Sequence, residues 1–376
     1  MVTSSEDNRL VVHHVGGRAG IRSFPVPPAF EKDYINVLYD ADESCLEEMV
    51  DISNAQPVET IVLPYCISGH EGTGKFHLNY DPFTSSIYPL NQRYAQFYGP
   101  TLGHDYVLGE TLRTMKEVEL RMTTLDSLVL DRGEVPAPDF LSLDTQGNEF
   151  DILKGASRLL DTSILAVQAE VSFHPLYEGT PLFGDICELL AQHNFDLVDI
   201  PYPFIGQFYP IRAKQGFRGQ SYVMQAEAVF LKRPETVEAS SRELQLKKLA
   251  FIATILGRFE CAQQCFDSPG FDLTAESQTG VAGQQPRYLD FISRLGRAVA
   301  SLPERSVPSF SDIYSYEQSQ TRQAWSPPQP RPRHSVLRRI VKTLPPLVSF
   351  IKALRTIPIR LKAAGIHARW RFKYPD

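Results

Sequence analysis

The chain has 376 residues, with 38 Lys or Arg against 44 Asp or Glu, a net charge of −6, and 43% of its residues hydrophobic; such a composition excludes a collagen-like or wholly disordered chain. Its five cysteines, Cys45, Cys66, Cys187, Cys261 and Cys265, are odd in number and form no CxxC pair. That argues against a disulfide framework or a zinc site and for a reducing, cytoplasmic compartment. The amino terminus, MVTSSEDNRL, lacks the pattern of a signal peptide, and no apolar run is long enough to span a bilayer.

From Leu10 to about Arg233 short apolar runs alternate with helical patterns, the arrangement of βαβ units and a doubly wound, mainly parallel sheet. LVVHHV (10–15) reads as the first strand and INVLYDAD (35–42) as the second, with CLEEMVDI as the helix after it. ETIVLPYCI (59–67) reads as a third strand, followed by GTGKFHLNYDPFTSSIYPL as a hairpin excursion. FLSLD (140–144) gives a fourth strand, after which Phe150, Ile152, Leu153, Leu159 and Leu160 recur at helical spacing. SILAVQAEVSF (163–173) is a fifth strand, 182–194 a helix, FDLVDI a sixth strand and AEAVFLKR (226–233) a seventh. Residues 1–235 thus form a seven-stranded α/β domain. Residues 236–305 read as a helical extension: a hairpin over 243–266 hinged at Gly257, then a helix over 288–302. A Pro-, Ser- and Gln-rich linker (306–335) and a basic tail (336–376) follow.

Chemistry concentrates at the carboxyl ends of these strands, where an open α/β sheet binds its ligands. The first strand runs into HHVGGRAG, so Gly16, Gly17 and Gly20 allow close approach of a ligand to the backbone; a tight turn without a ligand explains them equally well. About twenty residues on, YDADE places Asp40 and Asp42 where a carboxylate can accept hydrogen bonds from a ribose. Asp40 is the first choice, and Asp42 serves equally as a helix cap. In FLSLDTQGNEFDIL, Glu149 is explained by the dipole of the following helix, whereas Asp144 at a buried strand end requires a partner or a task. Glu170, ending the fifth strand with His174 and Tyr177 downstream, makes with Asp144 an acid-base or cation-binding pair; two acids are too few to predict a metal.

The run TTLDSLVLDRGEVPAPDFLSLDTQGNEFDILKGASRLL, continued by LAVQAEVSFHPLYEGTPLF, resembles the FkbM-type methyltransferases, with their TLD segment, D-x-Q/E-G-x-E turn, QxEVxF strand and Y-x-G-x-P-L-F element. The likeness covers roughly residues 10–233 and is strongest over 123–184. It implies a Rossmann-like fold, S-adenosylmethionine as methyl donor, and an acceptor hydroxyl on a sugar, glycolipid or polyketide. Carried over residue by residue, Gly16 to Gly20 form the turn near the methionine part of the donor and Asp40 is the ribose acid. Asp144, Gln146 and Glu149 fall on the central turn, with Gln146 among the donor contacts. Where methyltransferases of this broad class end the first strand in Asp or Glu, this chain has His14, which would reach the donor's ammonium through a water. Asp144 is the expected base, with Glu170 and His174 as alternates. The acceptor is expected over the excursion, near Ser85, Ser86, Tyr88 and Tyr94.

Residues 331–376 hold twelve Lys or Arg and one acid, a net +11 that leaves −17 for residues 1–330. Leu347, Ile351 and Leu354 share a helical face within the tail, flanked by Lys352, Arg355, Arg360 and Lys362. The segment suits docking on an acidic protein surface or on the inner face of an anionic membrane. Nucleic acid is not expected as a partner, since the body is acidic. Two other classes stay open: a non-catalytic interaction module on a degraded methyltransferase fold, and a nicotinamide-dependent oxidoreductase, against which the missing GxGxxG turn counts.

Overall fold

The computed structural model describes residues 8–16, 24–41, 43–54, 57–101, 104–201, 203–208, 222–239, 241–272 and 286–302. Contacts divide the chain into Met1–Leu302 and Pro303–Asp376; the second unit, with the expected linker and basic tail, lies outside the described residues.

Short apolar runs become strands. β1 (Leu10–Val15) and β2 (Tyr34–Tyr39) are buried at every position, as parallel strands covered on both faces must be. Helix α1 (Glu43–Asn54) leads to the edge strand β3 (Glu59–Leu63). The expected strand over 59–67 is in fact two, because Pro64 has no amide hydrogen to carry the ladder on. Beyond it lie β4 (Cys66–Ile67), β5 (Gly72–Asn79), β6 (Tyr98–Thr101), β7 (His104–Val107), the short α2 (Leu108–Thr111) and β8 (Thr114–Thr123). The expected hairpin excursion is present only in part. β5 turns back on its own following segment at a single antiparallel bridge, His77 to Ser86, while its main partner is β8, in a three-stranded sheet ordered β4-β8-β5, and β6 pairs with β7.

The remaining elements are β9 (Phe140–Leu143), α3 (Glu149–Lys154), α4 (Ser157–Thr162), β10 (Ala166–Ser172), α5 (Phe183–Gln192), β11 (Phe195–Asp199), β12 (Phe204–Gly206) and β13 (Tyr222–Lys232), then α6 (Arg242–Ile255), α7 (Phe259–Phe266) and α8 (Arg287–Ala300). The main sheet runs β11-β13-β10-β9-β1-β2-β3, with the short β12 on β13 as an eighth strand beyond the seven expected. β10, β9, β1, β2 and β3 are mutually parallel, whereas β13 is antiparallel to β10, β11 and β12.

Successive strand residues face opposite sides, so each strand feeds two cores. Val11, Val15, Leu141 and Leu143 pack with Leu153, Leu160 and Leu190 of α3, α4 and α5. Leu10, Val12 and Phe140 pack with Leu249, Phe251 and Ile292 of α6 and α8. Between β1 and β2 the described residues hold a 3-10 turn, Pro28–Asp33, and no α-helix; the extension lies over the sheet beside it. Tyr288 donates its amide to Asp33 Oδ2 (3.1 Å) and its hydroxyl to the Asn8 carbonyl (2.6 Å). Lys248 of α6 is buried and donates to Asp139 Oδ2 (2.7 Å), which also accepts the Val11 amide (2.8 Å). No helix among the described residues is long and apolar enough to cross a membrane.

Candidate active site

The carboxyl ends of β1, β2 and β9 converge, as parallel pairing in register requires, and a cleft opens over them. Gly16, Asp40, Tyr65, Phe76, Asp144 and Gln146 are among the residues around it. Two of the turns touch. Gly16 adopts a left-handed backbone with φ of 91°, and a Cβ there would lie 1.9 Å from the Asp144 carbonyl oxygen. The Asp144 amide donates to the Val15 carbonyl (3.0 Å) and that of Gly16 to the Tyr39 carbonyl (3.1 Å). Glycine is required at position 16 by the neighbouring backbone. Asp40 follows β2, its amide bonded to the Leu63 carbonyl (3.2 Å), and borders the cleft. Gly17, Gly20 and Asp42 lie outside the described residues.

The turn after β9 is held from below by Glu149. The sequence suggests a first-turn acid answering the helix dipole, but Glu149 is buried, with 4% exposure. Its Oε1 accepts from the Thr145 amide (2.7 Å) and hydroxyl (3.0 Å), and its Oε2 from the Gly147 amide (3.0 Å). Burial pushes its carboxyl up to about 7, against those hydrogen bonds and with help from the Asp144 charge. Asn148, to which the sequence reading gave no role, ties the same turn to β4 by donating to the Ile67 carbonyl (2.8 Å).

Above Glu149, Gln146 joins the two acids expected to act together. Its Nε2 donates to Asp144 Oδ1 (2.9 Å) and to Glu170 Oε2 (3.1 Å), and its Oε1 accepts from the Tyr177 hydroxyl (3.1 Å). Glu170 Oε2 also accepts from Gln225 Nε2 (3.0 Å). Burial, then the charges of Asp144, Glu149 and Glu227, hold the Glu170 carboxyl well above the usual carboxylate range.

Other expected residues sit elsewhere. His14 is buried behind the cleft, its Nδ1 bonded to Ser142 Oγ (2.8 Å), and is not among the residues lining the cleft. Burial lowers its pKa more than the Asp144 charge and the Gly16 carbonyl raise it, so the ring is neutral. Its neighbour His13 is pushed down to about 3 by burial and spans the Pro136 carbonyl (2.9 Å) and the Tyr39 hydroxyl (3.1 Å). His174 stands in an aromatic cluster, edge-on to Tyr94 and Tyr222. The polar groups expected to meet an acceptor are mostly turned inward: Ser86 donates to the Gln146 carbonyl (2.7 Å), Tyr88 to Asp151, and Tyr94 is buried. Only Ser85 of that set borders the cleft, whose far wall is Phe76, Leu78, Pro82, Phe83 and Ile87. The register explains this wall. Phe76 faces Val118 and Gly74 faces Leu120 across the β5–β8 ribbon, so one face is apolar, while Lys75 and Glu117, bonded at 3.0 Å, are exposed on the other.

Residues 31–197 match the family model of the methyltransferase FkbM domain, a segment that takes in Asp40, the β9 turn and Glu170 and begins after Gly16. No curated protein matches the chain.

Proposed function

From the premise that this chain carries an FkbM methyltransferase domain over residues 31–197, we propose that it transfers a methyl group from S-adenosylmethionine to a hydroxyl of a sugar, glycolipid or related natural product. One observation carries the reading: the Gly16 turn, Asp40 and Asp144 border a single cleft at the carboxyl edge of a mainly parallel sheet, the place where doubly wound, Rossmann-like folds bind nucleosides. The donor set fits. Asp40 can accept from ribose hydroxyls, Tyr65 and Ile67 offer apolar surface for a base, and Gly16 brings backbone to the cleft.

When bound, the donor supplies an electrophilic methyl group on a sulfonium. The chain's own contribution is to hold the acceptor oxygen in line and to take its proton. Such positioning is worth on the order of 7–11 kcal/mol of barrier. Asp144 is the group for the proton, because it borders the cleft. Glu170 is not among the residues lining the cleft and is held by Gln146 and Gln225, and His174 belongs to the aromatic cluster. The apolar far wall favours an acceptor whose hydroxyl is attached to an apolar body, as in a glycolipid, over a free sugar.

His14 supports the competing reading, a non-catalytic interaction module, since its neutral ring replaces an acid and is buried with Nδ1 bonded to Ser142. Calorimetric titration of the full chain with S-adenosylmethionine and S-adenosylhomocysteine separates the two. Micromolar binding of both, lost in Asp40→Ala, is expected for the enzyme; no binding of either would overturn it in favour of the module.

A further inference from the structure

Gln146 has a left-handed backbone, φ 58°, which no glycine or asparagine relieves. For an ordinary side chain that conformation is strained and persists only where the surroundings over-determine it. The surroundings here are unusually complete. Both amide hydrogens of Gln146 are directed at carboxyl oxygens, Asp144 Oδ1 and Glu170 Oε2. Its Oε1 lies 3.1 Å from the Tyr177 hydroxyl, whose single hydrogen is shared with the Thr84 carbonyl (2.8 Å). Its own carbonyl accepts from Ser86, buried with 0% exposure. Two residues distant in sequence, Glu170 and Tyr177, therefore fix the side-chain amide, and a third, Ser86, fixes the backbone carbonyl.

We propose that Gln146 is a positioning residue: it spans Asp144 and Glu170 and aims the Asp144 carboxylate, at the tip of β9, at the sulfonium of the donor. This rests on the methyl-transfer reading above. In this chain the single Nε2 of Gln146 serves both acids, donating to Asp144 Oδ1 and to Glu170 Oε2. Glu170 completes the arrangement, its Oε2 accepting from Gln146 (3.1 Å) and from Gln225 (3.0 Å).

The test uses the charge that distinguishes the two nucleosides, since S-adenosylmethionine carries a positive sulfur and S-adenosylhomocysteine does not. Both are titrated calorimetrically into the full chain and into Asp144→Asn, Gln146→Met and Gln146→Asn. Asp144→Asn is expected to weaken S-adenosylmethionine at least fivefold while leaving S-adenosylhomocysteine within twofold. Gln146→Met, which keeps length and charge but donates nothing, should follow it. So should Gln146→Asn, which relieves the backbone yet is too short to span the two acids. Equal loss of both nucleosides in the Gln146 variants, or no change in either, would overturn the proposal and leave the donor site standing. An unaltered preference in Asp144→Asn would do the same. If the unmodified chain binds neither nucleoside, the donor-site reading falls and this inference with it.

Discussion

Glu149→Gln tests whether the β9 turn is built around a buried acid. In the folded chain burial moves this carboxyl from its ordinary 4.5 to about 7. At about 1.4 kcal/mol per pH unit, the protonated form is favoured by folding to the extent of about 3 kcal/mol. The folded state binds the proton more tightly than the unfolded chain. That stabilisation is therefore complete below pH 4.5 and is lost as the pH rises through 7. The glutamine stays neutral throughout, and its nitrogen cannot accept from the Gly147 amide, now held by Glu149 Oε2 at 3.0 Å. Leaving that buried donor unmet costs about 1–3 kcal/mol. Urea unfolding of both proteins at pH 5, 6, 7 and 8 should show the variant less stable at pH 5, with the gap shrinking by about 2–3 kcal/mol by pH 8. A gap constant over that range would refute the buried, raised carboxyl.

Two further substitutions probe the frame around the cleft. Gly16→Ala would set a Cβ 1.9 Å from the Asp144 carbonyl in a left-handed conformation; loss of S-adenosylhomocysteine binding with a lowered thermal midpoint is expected, and unchanged binding would show the two turns to be independent. Lys248→Met strands Asp139, 6% exposed, with the Val11 amide as its remaining partner, a change that costs about 3–5 kcal/mol in urea unfolding and that Lys248→Met with Asp139→Asn should largely reverse; a single-variant loss below about 1 kcal/mol would show the extension is not held there.

The strands under the cleft were legible because their signal is local. LVVHHV, FLSL and AVQAEVS are short apolar runs beside turn residues, and each appears within two or three residues of its expected place. The β5–β8 ribbon was not read, since its partners are some forty residues apart. The cue existed: Val118, Leu120 and Met122 alternate with Glu117, Glu119 and Arg121, the period of a strand with one wet face. Pro64 likewise marked the break that divides 59–67 between two sheets. Alternation also puts His14 on the same face as Leu10 and Val12, but its pairing with Ser142 depends on β9 lying alongside.

The polarity packed into DTQGNE shows what a linear reading cannot supply. Spacing brings Asp144 and Glu149 to one strand end and says nothing of height. In the fold Glu149 lies beneath the turn and shapes it through Thr145 and Gly147, while Asp144 borders the cleft above. Two acids so close would repel if both were charged, and Glu170 adds a third. Burial answers the repulsion by favouring the protons on Glu149 and Glu170. Gln146 then supplies the neutral link between Asp144 and Glu170. The turn thus needs acids of unequal burial, because equal exposure would leave three like charges in one small volume, and equal burial would leave no carboxylate to accept a proton. A motif of alternating acids and amides is the sequence form of that inequality. Its assignment to particular residues waits on β10, which brings Glu170 to within reach, and on Tyr177, which fixes the amide between them.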